Sequence, residues 1–190
     1  TFETNNSEML KNAGFKSEQL ETVTDNVFGR MSDTQTPQGI MAVVKMQEYS
    51  ISDMLKKNAL IIGIENLQDP GNLGTIVRMS EGAGVTGVVI SSNTVDIYNP
   101  KTIRSTMGSI YRVPFIYAED FAAALSELKN SGVSIYAAHL AGTKNYTEPD
   151  YTKPSAFLIG NEGNGLTAKA AEAADTLIKI PMHGQVESLN

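Results

Sequence analysis

ALIIGIENLQDPGNLGTIVRMSEGAG, residues 59–84, decides the fold. Its first part, ALIIGIEN (residues 59–66), is apolar without alternation, the pattern of a strand buried on both faces of a sheet. Pro70 and Gly71 then make a turn, Asn72 or a neighbour caps a helix over residues 72–84, and Arg78 lies about two turns inside it. A doubly buried strand that runs through a polar turn into a helix is the opening of an α/β unit.

Downstream the alternation continues. Residues 87–91 read as a strand, 100–109 as a short helix in a polar segment, 119–130 as a helix, 133–138 and 155–159 as strands, 167–174 as a helix and 176–180 as a strand. Apolar strands alternating with helices predict an α/β fold, a mostly parallel sheet flanked by helices on both faces. Upstream, residues 7–13, 17–23 and 25–31 read as short helices, and SDTQTPQG turns into the β-rich GIMAVVKM, residues 39–46. That first segment has too little apolar surface to stand alone, and residues 47–57 cross into the second domain. The boundaries expected are 1–50 and 51–190.

Composition narrows the function. The 190 residues are 41% hydrophobic and contain no cysteine, which excludes disulfides and thiolate metal sites. No apolar run approaches membrane-spanning length and the start lacks the features of a signal peptide, so a cytoplasmic protein away from membranes is expected. The missing initiator Met and the abrupt end at Asn190 suggest a piece of a longer product. A formal charge of −6 argues against gripping nucleic acid by overall charge, yet from Arg78 to Arg112 four basic residues face two acidic ones.

Three strands end in loops rich in Gly and Asn: NLQDPGNLG after the first, LIGNEGNGL (residues 158–166), and IPMHGQVESLN (residues 180–190) at the end. Loops at the carboxyl ends of parallel strands converge on one crevice. Singly, each has a plain structural reading. Glycines after a strand make turns, Arg78 is a surface residue, and Glu162 caps the helix at Thr167. His139 and His183 have no partner at metal-ligand or triad spacing and are read as structural, and no metal is expected. Met9, Met31, Met41, Met46 and Met54 are read as core filling.

In order and spacing, DPGNLGTIVR, GNEGNGL and IPMHGQVESLN resemble the three signature motifs of the SpoU or TrmH family of RNA 2′-O-ribose methyltransferases, within the SPOUT superfamily. The likeness covers about residues 60–190, and a shorter one links residues 39–44 to a ribosomal-protein-like RNA-binding domain. The resemblance implies a trefoil-knotted domain that transfers a methyl group from S-adenosylmethionine to a ribose 2′-hydroxyl of rRNA or tRNA. In such proteins a carboxyl-terminal helix follows the third motif, and the working enzyme is a homodimer.

By the same resemblance Arg78 acts at the 2′-hydroxyl, stabilising negative charge on oxygen, since an arginine is a poor proton acceptor. Asn72 braces the first loop. Glu162 accepts backbone hydrogen bonds that fix the loop, and Ser188 and Asn190 contact cofactor or substrate. The adenine rests on the backbone near Leu158, Gly160, Ile180, Met182 and Leu189, with Asn161, Glu162, Gly163 and Ser188 completing the cofactor contacts. Lys101 and Arg104, in NPKTIRSTMGS (residues 99–109), are either RNA phosphate contacts or a solvated helix face. The rival functions are a non-catalytic RNA-binding module and a dinucleotide-dependent oxidoreductase. The latter lacks a G-x-G-x-x-G after its first strand.

Overall fold

A computed structural model describes residues 6–32 and 34–184. It divides into two compact units, residues 1–47 and 48–190. The first holds α1 (Ser7–Asn12), a single 3-10 turn at Ser17–Gln19 and α2 (Asp25–Met31), none with a buried residue. The Thr24 hydroxyl caps α2 by accepting from the Val27 N–H. The helix expected over residues 17–23 is thus only a turn. Residues 39–46, expected as β-rich, form no strand, because a β segment needs a partner ladder and the described residues supply none. Val43 and Met46 are fully and largely exposed there. With Met9, Met31 and Met41 also exposed, only Met54 of the five methionines fills a core.

The second unit runs α3 (Ile51–Met54), β1 (Leu60–Ile64), α4 (Pro70–Gly82), β2 (Gly87–Ser91), α5 (Pro100–Thr106), a 3-10 turn (Ser109–Tyr111) and β3 (Phe115–Ala118). It continues through α6 (Phe121–Asn130), β4 (Ser134–Ala138), β5 (Lys144–Asn145), β6 (Ser155–Ile159), α7 (Ala168–Ala173) and β7 (Thr176–Lys179). All ladders in the seven-stranded sheet are parallel, in the order β3-β2-β1-β6-β4-β7-β5. The α/β reading therefore holds, with β3 and β5 as additional strands at the two edges.

Strand alternation builds two cores. On one face Ile61, Val89, Ile135, Ala137 and Leu158 pack with Leu125 and Leu128 of α6, Ala170 of α7 and Met54 of α3. On the other, Ile64, Val88 and Ile90 pack with Leu73 and Val77 of α4. Each fully buried Leu or Ile contributes about 1.5–3 kcal/mol. Truncating Leu128, wholly inaccessible, to Ala costs about 2–5 kcal/mol. Strand order reverses between β1 and β6: from β1 the chain steps outward to β2 and β3, while β6 lies on the other flank. Their carboxyl ends flank the crevice where open parallel sheets place ligands.

Candidate active site

The loop between β1 and α4 is closed by its own side chains. Asp69, not Asn72, is the N-cap, its Oδ1 accepting from the Asn72 N–H at 2.8 Å, with Pro70 as the first helical residue. Pro suits that position because the first-turn N–H groups have no helical partner. The Asp69 carboxyl lies below its ordinary pKa, first because of the Asn72 N–H and then Lys101, whose Nζ is 3.4 Å from Oδ2. Lys101 thereby ties α5 to this loop.

The loop after β6 is a small closed ring. Asn161 and Gly165 exchange two backbone hydrogen bonds, N–H to carbonyl, at 3.0 and 2.9 Å, and Asn161 Oδ1 accepts from the Gly163 and Asn164 N–H groups. A Cβ on Gly160 would stand 2.2 Å from the Gly165 carbonyl carbon, and Gly165 itself has φ +67°. Both positions need glycine. The ring is tight because its amides satisfy one another, so those of Asn161, Gly163, Asn164 and Gly165 are already committed within it.

Glu162 joins the two loops. It accepts from the N–H groups of Gln68 (3.2 Å) and Asp69 (3.0 Å) and from Asn72 Nδ2 (3.2 Å). Burial raises its pKa, but the N–H groups of Asp69, Glu162 itself and Gln68 and the Asn72 amide outweigh burial and hold the carboxyl below its usual range. It does not cap α7. Thr167 caps that helix with its own hydroxyl, which accepts from the Ala170 N–H. Asn161 adds a second link, its Nδ2 donating to the Asn66 carbonyl at 2.8 Å.

Sequence reasoning missed Glu65. It is buried at 7% exposure, and its carboxylate accepts from the Thr167 N–H and hydroxyl, both at 2.8 Å, fixing the far end of the ring to β1. The only signal was an acid at the end of an apolar strand. Asn66, with φ +56°, was missed as well.

Arg78 lies exposed on α4 and forms no hydrogen bond or ion pair with another described residue. Arg104 is likewise exposed on α5. Leu158 is fully buried, so only its backbone can face a ligand. Strands β6, β4 and β7 are neighbours, and beyond their carboxyl ends lie Gly160, Leu140 (75% exposed) and Ile180 (51% exposed), with Met182 half-buried. An uncharged backbone and uncovered apolar side chains at one sheet end fit the flat, weakly polar adenine of S-adenosylmethionine. Ser188, Leu189 and Asn190 lie outside the described residues. Two clefts open beside the carboxyl end of β1, one of about 410 Å³ among the loops after β1, β6 and β2 and one of about 540 Å³ reaching toward β3, and neither includes Leu158, Ile180 or Met182. The loop after β6 and these uncovered apolar residues share the β6–β4–β7 side, the side that could hold the cofactor.

No helix among the described residues is long and apolar enough to cross a membrane, and no cluster among them could hold a metal ion. The architecture is that of an α/β ligand-binding domain whose active loops sit at the carboxyl ends of a parallel sheet. The chain belongs to the SpoU rRNA methylase family, whose model matches residues 59–190, and a model for RNA 2′-O ribose methyltransferase substrate binding matches residues 2–50. It is similar to the Bacillus subtilis 23S rRNA (guanosine(2553)-2′-O)-methyltransferase RlmP, 36% identical over 90% of this chain and 67% of that protein. The AdoMet-bound rRNA methyltransferase of Sinorhizobium meliloti superposes with a TM-score of 0.78 at 30% identity, covering 88% of this chain and 64% of that one. The SpoU methyltransferase AviRb of Streptomyces viridochromogenes, with AdoMet, gives 0.72 at 25% identity, covering 77% and 57%. The chain thus spans about three fifths of these two solved relatives.

Proposed function

We propose that this protein transfers a methyl group from S-adenosylmethionine to a ribose 2′-hydroxyl of rRNA or tRNA, in the cytoplasm. The observation that carries the reading is the Glu162 junction, which locks the first two motif loops together while Arg78 stays uncommitted on the helix leaving that junction. When bound, the sulfonium cofactor supplies an electrophilic methyl carbon. The chain's own residues orient and stabilise. The Gly160–Gly165 ring presents a rigid wall, Asn72 is held by Glu162, and the Arg78 guanidinium donates toward the 2′ oxygen as it gains negative charge. A guanidinium is a poor proton acceptor, so the proton leaves to water or a phosphate. Lys101, already paired with Asp69, stabilises the loop, and Arg104 remains available to an RNA phosphate.

The trefoil threading, the roles of Ser188, Leu189 and Asn190, the substrate-binding role of residues 1–50 and a homodimer belong to the same proposal. Met79, next to Arg78, and Met107 are 63% and 69% exposed, which suits α4 and its surroundings to a subunit contact. Light scattering is expected to give twice the chain mass at micromolar concentration; a monomer that methylates RNA normally would rule out a shared site.

The test of the function is transfer of labelled methyl from S-adenosylmethionine into hypomethylated ribosomal and transfer RNA, followed by mapping of 2′-O-methylated nucleotides. Arg78→Ala is expected to lower kcat by about 10²–10³-fold, with cofactor affinity within about twofold. Label appearing on a base instead of a ribose would overturn the reaction. A matching loss of cofactor binding would move Arg78 into the pocket wall.

A further inference from the structure

We propose that the cleft at the strand-order reversal, between the carboxyl ends of β1 and β6, is a subsite for an unstacked nucleobase of the substrate RNA, read by the side-chain amides of Asn93 and Asn164. The inference rests on the methyltransferase reading and names a contact beyond it.

The cleft, about 410 Å³, falls within the ~300–1,000 Å³ of small-molecule sites. Four asparagines and a glutamine line it: Asn66, Gln68, Asn93, Asn161 and Asn164. Three of them build the walls. Asn161 Nδ2 and Gln68 Nε2 both donate to the Asn66 carbonyl, at 2.8 and 3.0 Å, and Gln68 Nε2 also donates to the Asn93 carbonyl at 2.8 Å. Asn66 is pinned at φ +56°, its N–H donating to Ser91 Oγ at 2.9 Å. A non-glycine residue held in the left-handed region marks a wall whose shape the surrounding contacts impose.

The other two amides are uncommitted. Asn93 and Asn164 enter the wall only through their main chains, the Asn93 carbonyl accepting from Gln68 and the Asn164 N–H donating to Asn161 Oδ1 at 3.0 Å. Their exposed side chains make no hydrogen bond with another described residue. Each presents a donor beside an acceptor, the pattern that pairs with the edge of a base. No charged residue lines this cleft, while the adjoining one carries Glu65, Glu119 and Asp120, with Lys169 already 3.3 Å from Asp120. Phosphate is repelled from that side, so a nucleotide enters base first with its backbone turned away. Glu162 makes the wall and the first motif loop one rigid piece through the Gln68 and Asp69 N–H groups. A base seated here would therefore be registered against the Asn72 and Arg78 elements.

The test titrates the four nucleoside 5′-monophosphates, and ribose 5-phosphate as control, into the protein with S-adenosylhomocysteine in excess, following asparagine side-chain NH₂ resonances. At least one monophosphate is expected to shift the Asn93 and Asn164 signals saturably, ribose 5-phosphate none. Asn93→Ala with Asn164→Ala should weaken that binding at least tenfold while leaving every main-chain wall bond in place. On RNA the double variant should raise KM about tenfold with kcat and S-adenosylhomocysteine affinity within about twofold. Equal shifts from ribose 5-phosphate, shifts confined to residues around Gly160 and Met182, or an unchanged KM would overturn the subsite. Absence of methyl transfer by the wild type would instead overturn the reaction, and the nucleotide titration would still decide the cleft.

Discussion

At the residue scale two carboxylates without a cation partner, Glu162 and Glu65, hold the loops of the site through N–H and hydroxyl donors. Glu162 and Glu65 clamp the ring from opposite sides, one to the α4 loop and one through Thr167 to β1. Only Glu162 was legible in the sequence, because it sits inside a motif. Glu65 meets Thr167 across 102 positions, a distance at which periodicity and spacing carry no information. The linkage has a definite sign. The folded-state pKa of Glu162 is depressed, so its contribution is complete above its unfolded value of about 4.5 and is lost as pH falls through the lower folded value. Glu162→Gln presents an NH₂ to donors and retains one acceptor. We expect it to cost about 1 kcal/mol, a modest figure because the carboxylate is exposed. Hydrogen exchange at the Asp69 amide should accelerate in this variant at neutral pH and lose its acid dependence. Unchanged protection would show that Glu162 does not hold the loop.

At the element scale the long apolar strands were readable, because a strand buried on both faces declares itself in one run of residues. The edge strands were not. β3 has four residues and β5 two, and their existence depends on neighbours β2 and β7 more than on their own composition. Residues 39–46 show the converse, β-prone sequence without a ladder. Helix α4 was readable but its cap was not, since Asp69, Asn72 and Pro70 all carry start signals and only geometry selects among them. The same helix gives a test of packing. A Cβ on Gly74 would stand 2.4 Å from Ser105 Cβ and 2.6 Å from the Thr102 carbonyl on α5, whereas one on Gly82 meets nothing within 4 Å. Gly74→Ala should therefore destabilise by about 1–3 kcal/mol despite the better helix propensity of Ala. Gly82→Ala should stabilise by up to about 1 kcal/mol. Thermal unfolding of the two variants measures this directly; a gain at position 74 would mean that the helices do not approach so closely.

At the scale of the whole molecule, both apolar cores belong to the second unit. Every described buried apolar residue lies at Ile51 or beyond, and the elements of the first unit bury none. The candidate site, from Glu65 to Met182, falls within the same unit. Short helices without tertiary cover are marginal in water, since nucleation costs more than one or two turns return. Produced alone, residues 48–190 should unfold in one cooperative transition, with a midpoint within about 3 °C of the whole chain. Residues 1–47 alone should show no cooperative transition. If the first unit serves as the substrate-binding part, its removal should weaken RNA binding at least tenfold while S-adenosylmethionine affinity stays within about twofold, because no residue placed beside the cofactor precedes Leu140. Calorimetry and filter binding on the two chains would check both statements. A midpoint lowered by more than about 10 °C would place part of the stabilising core in the first unit. Undiminished RNA affinity would instead leave recognition wholly to the sheet domain, with Arg78, Arg104 and the amide cleft carrying it.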